Sequence, residues 1–131
     1  MTDFNFADFK NEVNNALIRH KSILDIITKL EETNSKINRA IIKSVTSCGC
    51  IQIQGNKQET PENISFNELK EYMKSHINGD LCEICKEKIE EELGNHLFYI
   101  TAACNLLDIN IEYVLKKENN KLKTLGKYSL L

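Results

Sequence analysis

Four of the five cysteines in this 131-residue chain come in close pairs, Cys48 with Cys50 as CxC and Cys82 with Cys85 as CxxC, with 31 residues between the pairs. A tetrahedral thiolate site needs four sulfurs around one metal. Each close pair supplies one edge of the tetrahedron at little cost, so the fold has only to bring two edges together. The spacing points to one structural Zn²⁺ held by Cys48, Cys50, Cys82 and Cys85, closed because thiolates take all four positions. An iron-sulfur cluster uses the same ligands and stays open on residue type alone. A redox CxxC is disfavoured, because such motifs belong to a βαβ pattern that is missing here. Cys104, in Ala102-Ala103-Cys104-Asn105, falls on an apolar helix side and reads as a packed core thiol. His20, His76 and His96 share no ligand spacing. His76, six residues before Cys82, is the one that could substitute as a ligand.

The elements that must carry these thiols read as helices. The first Gly is Gly49 and the only Pro is Pro61, so nothing breaks a helix early in the chain. Phe6, Phe9, Val13, Ala16 and Leu17, then Ile23, Ile26, Ile27 and Leu30, recur at steps of three and four, which predicts an amphipathic helix bent near His20. Thr33, Asn34 and Ser35 favour caps over helix interiors, so a second helix is expected over about 34–46. Residues 47–81 read as an irregular, cysteine-bearing insert. Within it the alternation Ile51-Gln52-Ile53-Gln54 allows one short strand, and Ser65 with Glu68 forms a capping box for a helix starting at Phe66 and ending near Asn78 and Gly79. Asp80 opens a long helix with Cys82 and Cys85 at its start, where the helix dipole favours thiolate. Asp108 or Asn110 caps a last helix that stops near Gly126. The expectation is a single all-α domain over 1–131, with the second helix and the long one antiparallel so that both cysteine pairs share one end.

Acidic residues crowd the long helix at Glu87 and Glu90 to Glu92, interleaved with Lys86 and Lys88, the pattern of a solvated helix face. Gly94 in a helix interior costs about 1 kcal/mol against Ala, and close approach of another helix is its simplest justification. From Glu90-Glu91-Glu92-Leu93-Gly94-Asn95-His96-Leu97-Phe98-Tyr99, through Leu106 to Leu115, to Lys121-Leu122-Lys123-Thr124-Leu125-Gly126-Lys127, the chain resembles the MazG-like all-α nucleoside triphosphate pyrophosphohydrolases. The resemblance covers about residues 86–128. It implies a dimeric or tetrameric antiparallel helical bundle in which an EExxE on one helix and an ExxD on the next hold Mg²⁺ against a nucleotide's phosphates.

Residue by residue, that acidic set is depleted. Glu92 matches the Glu of ExxD, but Asn95 stands at the Asp position, so these two are family-position remnants rather than a complete catalytic pair. The preceding helix offers Asn38, Arg39, Ile41, Ile42 and Lys43. Glu31 and Glu32, with Ser35 in place of a third Glu, lie about 24 Å along their helix from Cys48, whereas Glu92 lies about 10 Å beyond Cys85, so they fall out of step. Arg39 and Lys43 are instead candidate contacts for a nucleotide's phosphates.

Charged residues are 27% of the chain and the net charge is -2, which disfavours a nucleic-acid partner. No apolar run is long enough for a membrane span, and Met1-Thr2-Asp3-Phe4 lacks the start of a signal peptide, so a cytoplasmic protein with reduced thiols is expected. Phe4, Phe6, Phe9, Leu17 and Ile18 give more apolar surface than one narrow stripe needs, which anticipates a homo-oligomer. The favoured function is a catalytically silent MazG-like bundle with structural zinc, acting as a binding or regulatory module. The alternatives are a divergent pyrophosphohydrolase, which would require Mg²⁺, and an unrelated zinc-stapled helical adaptor.

Overall fold

Asn5 starts the first helix by accepting backbone N–H bonds from Ala7 (2.8 Å) and Asp8 (3.2 Å) on its side-chain oxygen. This helix, α1, spans Phe6–Ala16 in a computed structural model that describes residues 3–126 and 128. Four more helices follow among the described residues: α2 (Ile23–Lys43), α3 (Phe66–Tyr72), α4 (Glu83–Leu106) and α5 (Ile111–Leu125). Strands β1 (Ile51–Ile53) and β2 (Ile77–Gly79) form an antiparallel pair. The helical class expected from the sequence holds, and the small sheet corrects its all-α form. No described helix is long and apolar enough to cross a membrane.

The chain divides into two compact units. One runs up to Ser35 and resumes at Leu93, and its core is Val13, Leu17, Ile26 and Ala102, lined by Phe9, Leu30, Phe98 and Tyr99. The predicted bend near His20 is a full break. Leu17 leaves helical geometry at ψ 93°, and Ser22 restarts the chain by accepting from the Leu24 N–H at 3.2 Å. Asn105 ties α4 to α1, its amide donating to the Lys10 carbonyl (3.2 Å) and to Asn14 Oδ1 (2.9 Å). The expected turn at Thr33 to Ser35 is absent, because α2 runs straight through it. Thr33, which competes with the backbone in an isolated helix, here donates to the Lys29 carbonyl at 2.8 Å and lies 2.7 Å from His96 Nδ1. A tertiary partner satisfies the polar group that would otherwise have ended the helix. Asn110 caps α5 by accepting from the Tyr113 N–H, and Gly126 closes it. Lys127, the end of the MazG-like pattern, lies outside the described residues.

The second unit is Lys36–Glu92 and holds all four paired cysteines. It takes the last turns of α2, the sheet, α3 and the first turns of α4. Helix α3 starts at the predicted Ser65 cap, which accepts from the Glu68 N–H, but ends at Tyr72 rather than near Gly79. His76 has φ 63°, which no helix tolerates, and the chain beyond it is the strand β2.

Candidate metal centre

Helix α2 does not stop at Lys43. Ser44–Cys48 continue it as one wide π-helical turn, closed by the Gly49 N–H donating to the Ser44 carbonyl at 2.9 Å. The Ser44 hydroxyl donates to the Ile41 carbonyl and that of Thr46 to the Ile42 carbonyl, so side chains support the widened turn. Gly49 then takes φ 80°, and the chain reverses sharply enough to present Cys48 and Cys50 together.

One residue later β1 begins, and its register with β2 sets Ile51 opposite Gly79 and Ile53 opposite Ile77. The sheet thereby brings Cys50 beside the strand that ends three residues before Cys82. Gly79 has φ 84°, and a Cβ on it would stand 2.7 Å from the Cys50 carbonyl oxygen, so only glycine permits this approach. The loop between the strands is held from both sides. The Gln54 N–H donates to the His76 carbonyl at 2.8 Å, and the Gln58 side chain both donates to the Lys74 carbonyl and accepts its N–H. His76 Nε2 donates to the Asn56 carbonyl at 2.6 Å. The histidine anticipated as a substitute ligand thus pins the loop, and the ligand group contains only cysteines.

The four sulfurs of Cys48, Cys50, Cys82 and Cys85 all lie within 4.8 Å of one another. Cys48 and Cys82, one from each pair, have sulfurs 3.8 Å apart. A metal at about 2.3 Å from each of four tetrahedral thiolates needs edges of about 3.8 Å, so one edge already has that length and no other exceeds it by more than about 1 Å. Cys82 sits just before α4, where it accepts the Cys85 N–H on its sulfur at 3.4 Å. That backbone bond, followed by the Cys85 thiol, lowers the Cys82 pKa to about 7. The Cys82 sulfur in turn, with burial, pushes Cys85 up to about 12. At Cys48 the Cys50 backbone favours thiolate but is outweighed, and its pKa is raised. Crowded thiols that resist losing several protons at once are what a cation in their midst relieves. Cys104 lies in the other unit, half-buried, and takes no part.

A cavity of about 460 Å³ opens against this centre, with Cys48 and Cys85 in its wall. Lys36, Arg39 and Lys43 from α2, and Lys88 and Glu92 from α4, are the charged residues of its lining. Arg39, Lys43 and Glu92, singled out in the sequence, therefore meet at one cavity, whereas Asn95 is exposed and lies outside its lining. The acidic run is not uniformly a solvated face. Glu87, Glu90 and Glu91 are exposed, but Glu92 is only 6% exposed and pairs with Lys88 Nζ at 3.1 Å. Glu92 Oε2 is buried without a hydrogen-bond partner.

No family model, curated protein or solved structure matches the chain.

Two residues of the site escaped the sequence. Gly79 reads as a helix stop because an Asn-Gly pair is a good one, and only the strand register shows that it is a point of backbone contact. Lys88 reads as a solvated charge, although its i, i+4 spacing to Glu92 was a usable signal.

Proposed function

We propose that the chain is a MazG-like helical module stapled by structural zinc, which binds a phosphorylated ligand without hydrolysing it. The observation that carries this is the meeting of three features: four sulfurs within 4.8 Å, a cavity walled by two of them, and cations around that cavity with Glu92 as its only carboxylate among the described residues. Arg39 and Lys43 have no ion pair among the described residues and can accept a phosphate group's charge. Phosphoryl cleavage through Mg²⁺ needs several carboxylates to fix the ion against water, and a single Glu already paired with Lys88 does not meet that need.

The spread of the sulfurs favours zinc over an iron-sulfur cluster. In a cluster the thiolates bind different irons and point outward from it, so they lie farther apart than the ligands of one ion. Four thiolates around a single Zn²⁺ would close the end of α2, the sheet and the start of α4 into one unit, and the chemistry zinc supplies there is structural. Metal analysis of the purified protein tests this assignment. One zinc per chain is expected, lost in Cys82→Ser and retained in Cys104→Ser; iron with acid-labile sulfide would overturn it. The anion reading is tested by calorimetric titration with inorganic phosphate, whose binding should be weakened at least about tenfold by Arg39→Glu with Lys43→Glu. Binding unaffected by both reversals would refute it.

A homo-oligomer belongs to the same proposal. Phe4 and Ile18 near α1, and Tyr113, Val114, Leu115, Leu122 and Leu125 on α5, are exposed large apolar side chains. A second copy of the chain offering the same faces would cover them symmetrically. Sedimentation as a strict monomer at micromolar concentration would exclude this.

A further inference from the structure

We infer that Cys48 and Cys82 form a site of reversible oxidation, at which a peroxide joins their two sulfurs as a disulfide and the metal is displaced. The inference rests on the ligand assignment given above and adds to it which of the four thiolates react.

Exposure and distance single out the pair. With a metal bound, every ligand is a thiolate, so access to solvent rather than proton affinity decides which sulfur meets an oxidant. Cys48 is the exposed member of the four, whereas Cys50, Cys82 and Cys85 are half-buried. The Cys82 sulfur lies 3.8 Å from that of Cys48, in a contact that is itself exposed. The Cys50 sulfur is turned toward its own chain turn, 3.7 Å from the Ser44 carbonyl in a part-buried contact. A disulfide holds its sulfurs about 2.0 Å apart, so those of Cys48 and Cys82 must close by about 1.8 Å. Cys48 ends the π-helical turn ahead of Gly49 and Cys82 precedes α4, so rotation of side chains at two element ends supplies the approach. Cys85 is held within the first turn of α4.

Backbone keeps the two ends together once the metal is lost. The pairing of β1 with β2 and the approach of Gly79 to the Cys50 carbonyl involve no ligand sulfur, so both cysteine pairs remain neighbours without it. The Cys48 thiolate attacks the O–O bond of hydrogen peroxide and becomes a sulfenic acid as the first water leaves. The Cys82 thiolate then attacks that sulfur and expels the second water. Two thiolates, two protons and one peroxide thus give one disulfide and two waters. A disulfide sulfur carries no thiolate charge, so the site keeps two of its four ligands and loses its hold on the metal.

Peptide mapping reads the pairing directly. Cleavage after lysine leaves Cys48 and Cys50 in residues 44–57 and Cys82 and Cys85 in residues 75–86. The intact zinc-loaded protein, treated with equimolar hydrogen peroxide, should yield these two segments as one cross-linked species, with the bond mapped by fragmentation to Cys48 and Cys82. About one zinc per disulfide should pass to a chromogenic chelator, and dithiothreitol with added zinc should restore the starting state. Two separate segments, each pair closed on itself, would overturn the pairing, as would oxidation of Cys48 to sulfinic acid without a disulfide. A disulfide formed with zinc retained would overturn the displacement. Cys85→Ser removes the competing partner within the CxxC and should leave the cross-link in place; should that variant fail to fold, the map of the unaltered protein decides. A chain purified without zinc would refute the metal reading and with it the displacement, while the same map on the reduced chain would still decide the pairing.

Discussion

Gly79 and Cys50 approach so closely that a single methyl group on the glycine would overlap the cysteine's carbonyl oxygen. The contact joins the two halves of the metal centre through backbone alone, since Gly79 ends β2 three residues before Cys82 and Cys50 leads into β1. Gly79→Ala should therefore damage the site without touching a ligand. The new Cβ meets backbone, and φ 84° is strained for any L side chain, so the cost is expected to be about 1–3 kcal/mol. A lower melting temperature together with faster metal loss to a chelator is the expected result. Gly49→Ala offers a comparison in which φ is equally unfavourable, at 80°, but nothing lies within 4 Å. It should cost less.

The opposite sign is expected at Gly94. Close approach of another helix was the natural reason for a glycine inside α4, yet a Cβ built there meets nothing within 4 Å and the backbone is helical. With no contact to lose, Gly94→Ala gains helix propensity and should stabilise the protein by up to about 1 kcal/mol. Thermal or urea unfolding would check it, and a destabilised variant would mean that the open space beside Gly94 is used by something outside the chain.

Metal affinity should fall steeply with acid. In the metal-free protein Cys82 titrates at about 7, Cys85 is held up to about 12 by the Cys82 sulfur, and Cys48 is raised as well. Across pH 6–8 at least Cys48 and Cys85 keep their protons until the metal displaces them, and Cys82 adds part of a third as pH falls through 7. Binding that releases two or more protons loses at least about a hundredfold in affinity per unit of pH lost. Competition titrations with a chelator at pH 8, 7 and 6, corrected for the chelator's own protonation, measure that slope. A shallow dependence of one proton or fewer would mean that the thiols are not the ligands.

What the sequence disclosed and what it concealed follow from range. The cysteine pairs were legible because each edge of the site is encoded within four residues. The caps Asn5, Ser65 and Asn110 act within three residues of themselves, and those at Ser65 and Asn110 were readable for the same reason. Strand β2 was not, because Ile77-Asn78-Gly79 has no strand signature of its own and owes its conformation to β1, a segment distant in sequence. Thr33 misled because its hydroxyl finds His96, 63 positions away. Glu92 looked solvated for a related reason. Composition places a carboxylate on a helix, and only the surrounding chain decides whether it meets water.

Under the MazG-like reading proposed above, hydrolysis of nucleoside triphosphates is expected to be absent or weak. Glu92 lines the cavity, but its Oε1 is engaged by Lys88 and the cavity offers no second carboxylate among the described residues. The facing stretch of α2 presents Arg39 and Lys43, which repel a divalent cation and attract the phosphates themselves. Such a cavity can hold a phosphorylated compound and has no means to fix Mg²⁺ beside it, so binding and cleavage should come apart. Incubation with the common nucleoside triphosphates and Mg²⁺ or Mn²⁺, followed by measurement of released pyrophosphate, should give no more than the protein-free rate. Turnover that disappears in Glu92→Gln would mean that Glu92 works with acids supplied from outside this cavity, as a second copy of the chain could do.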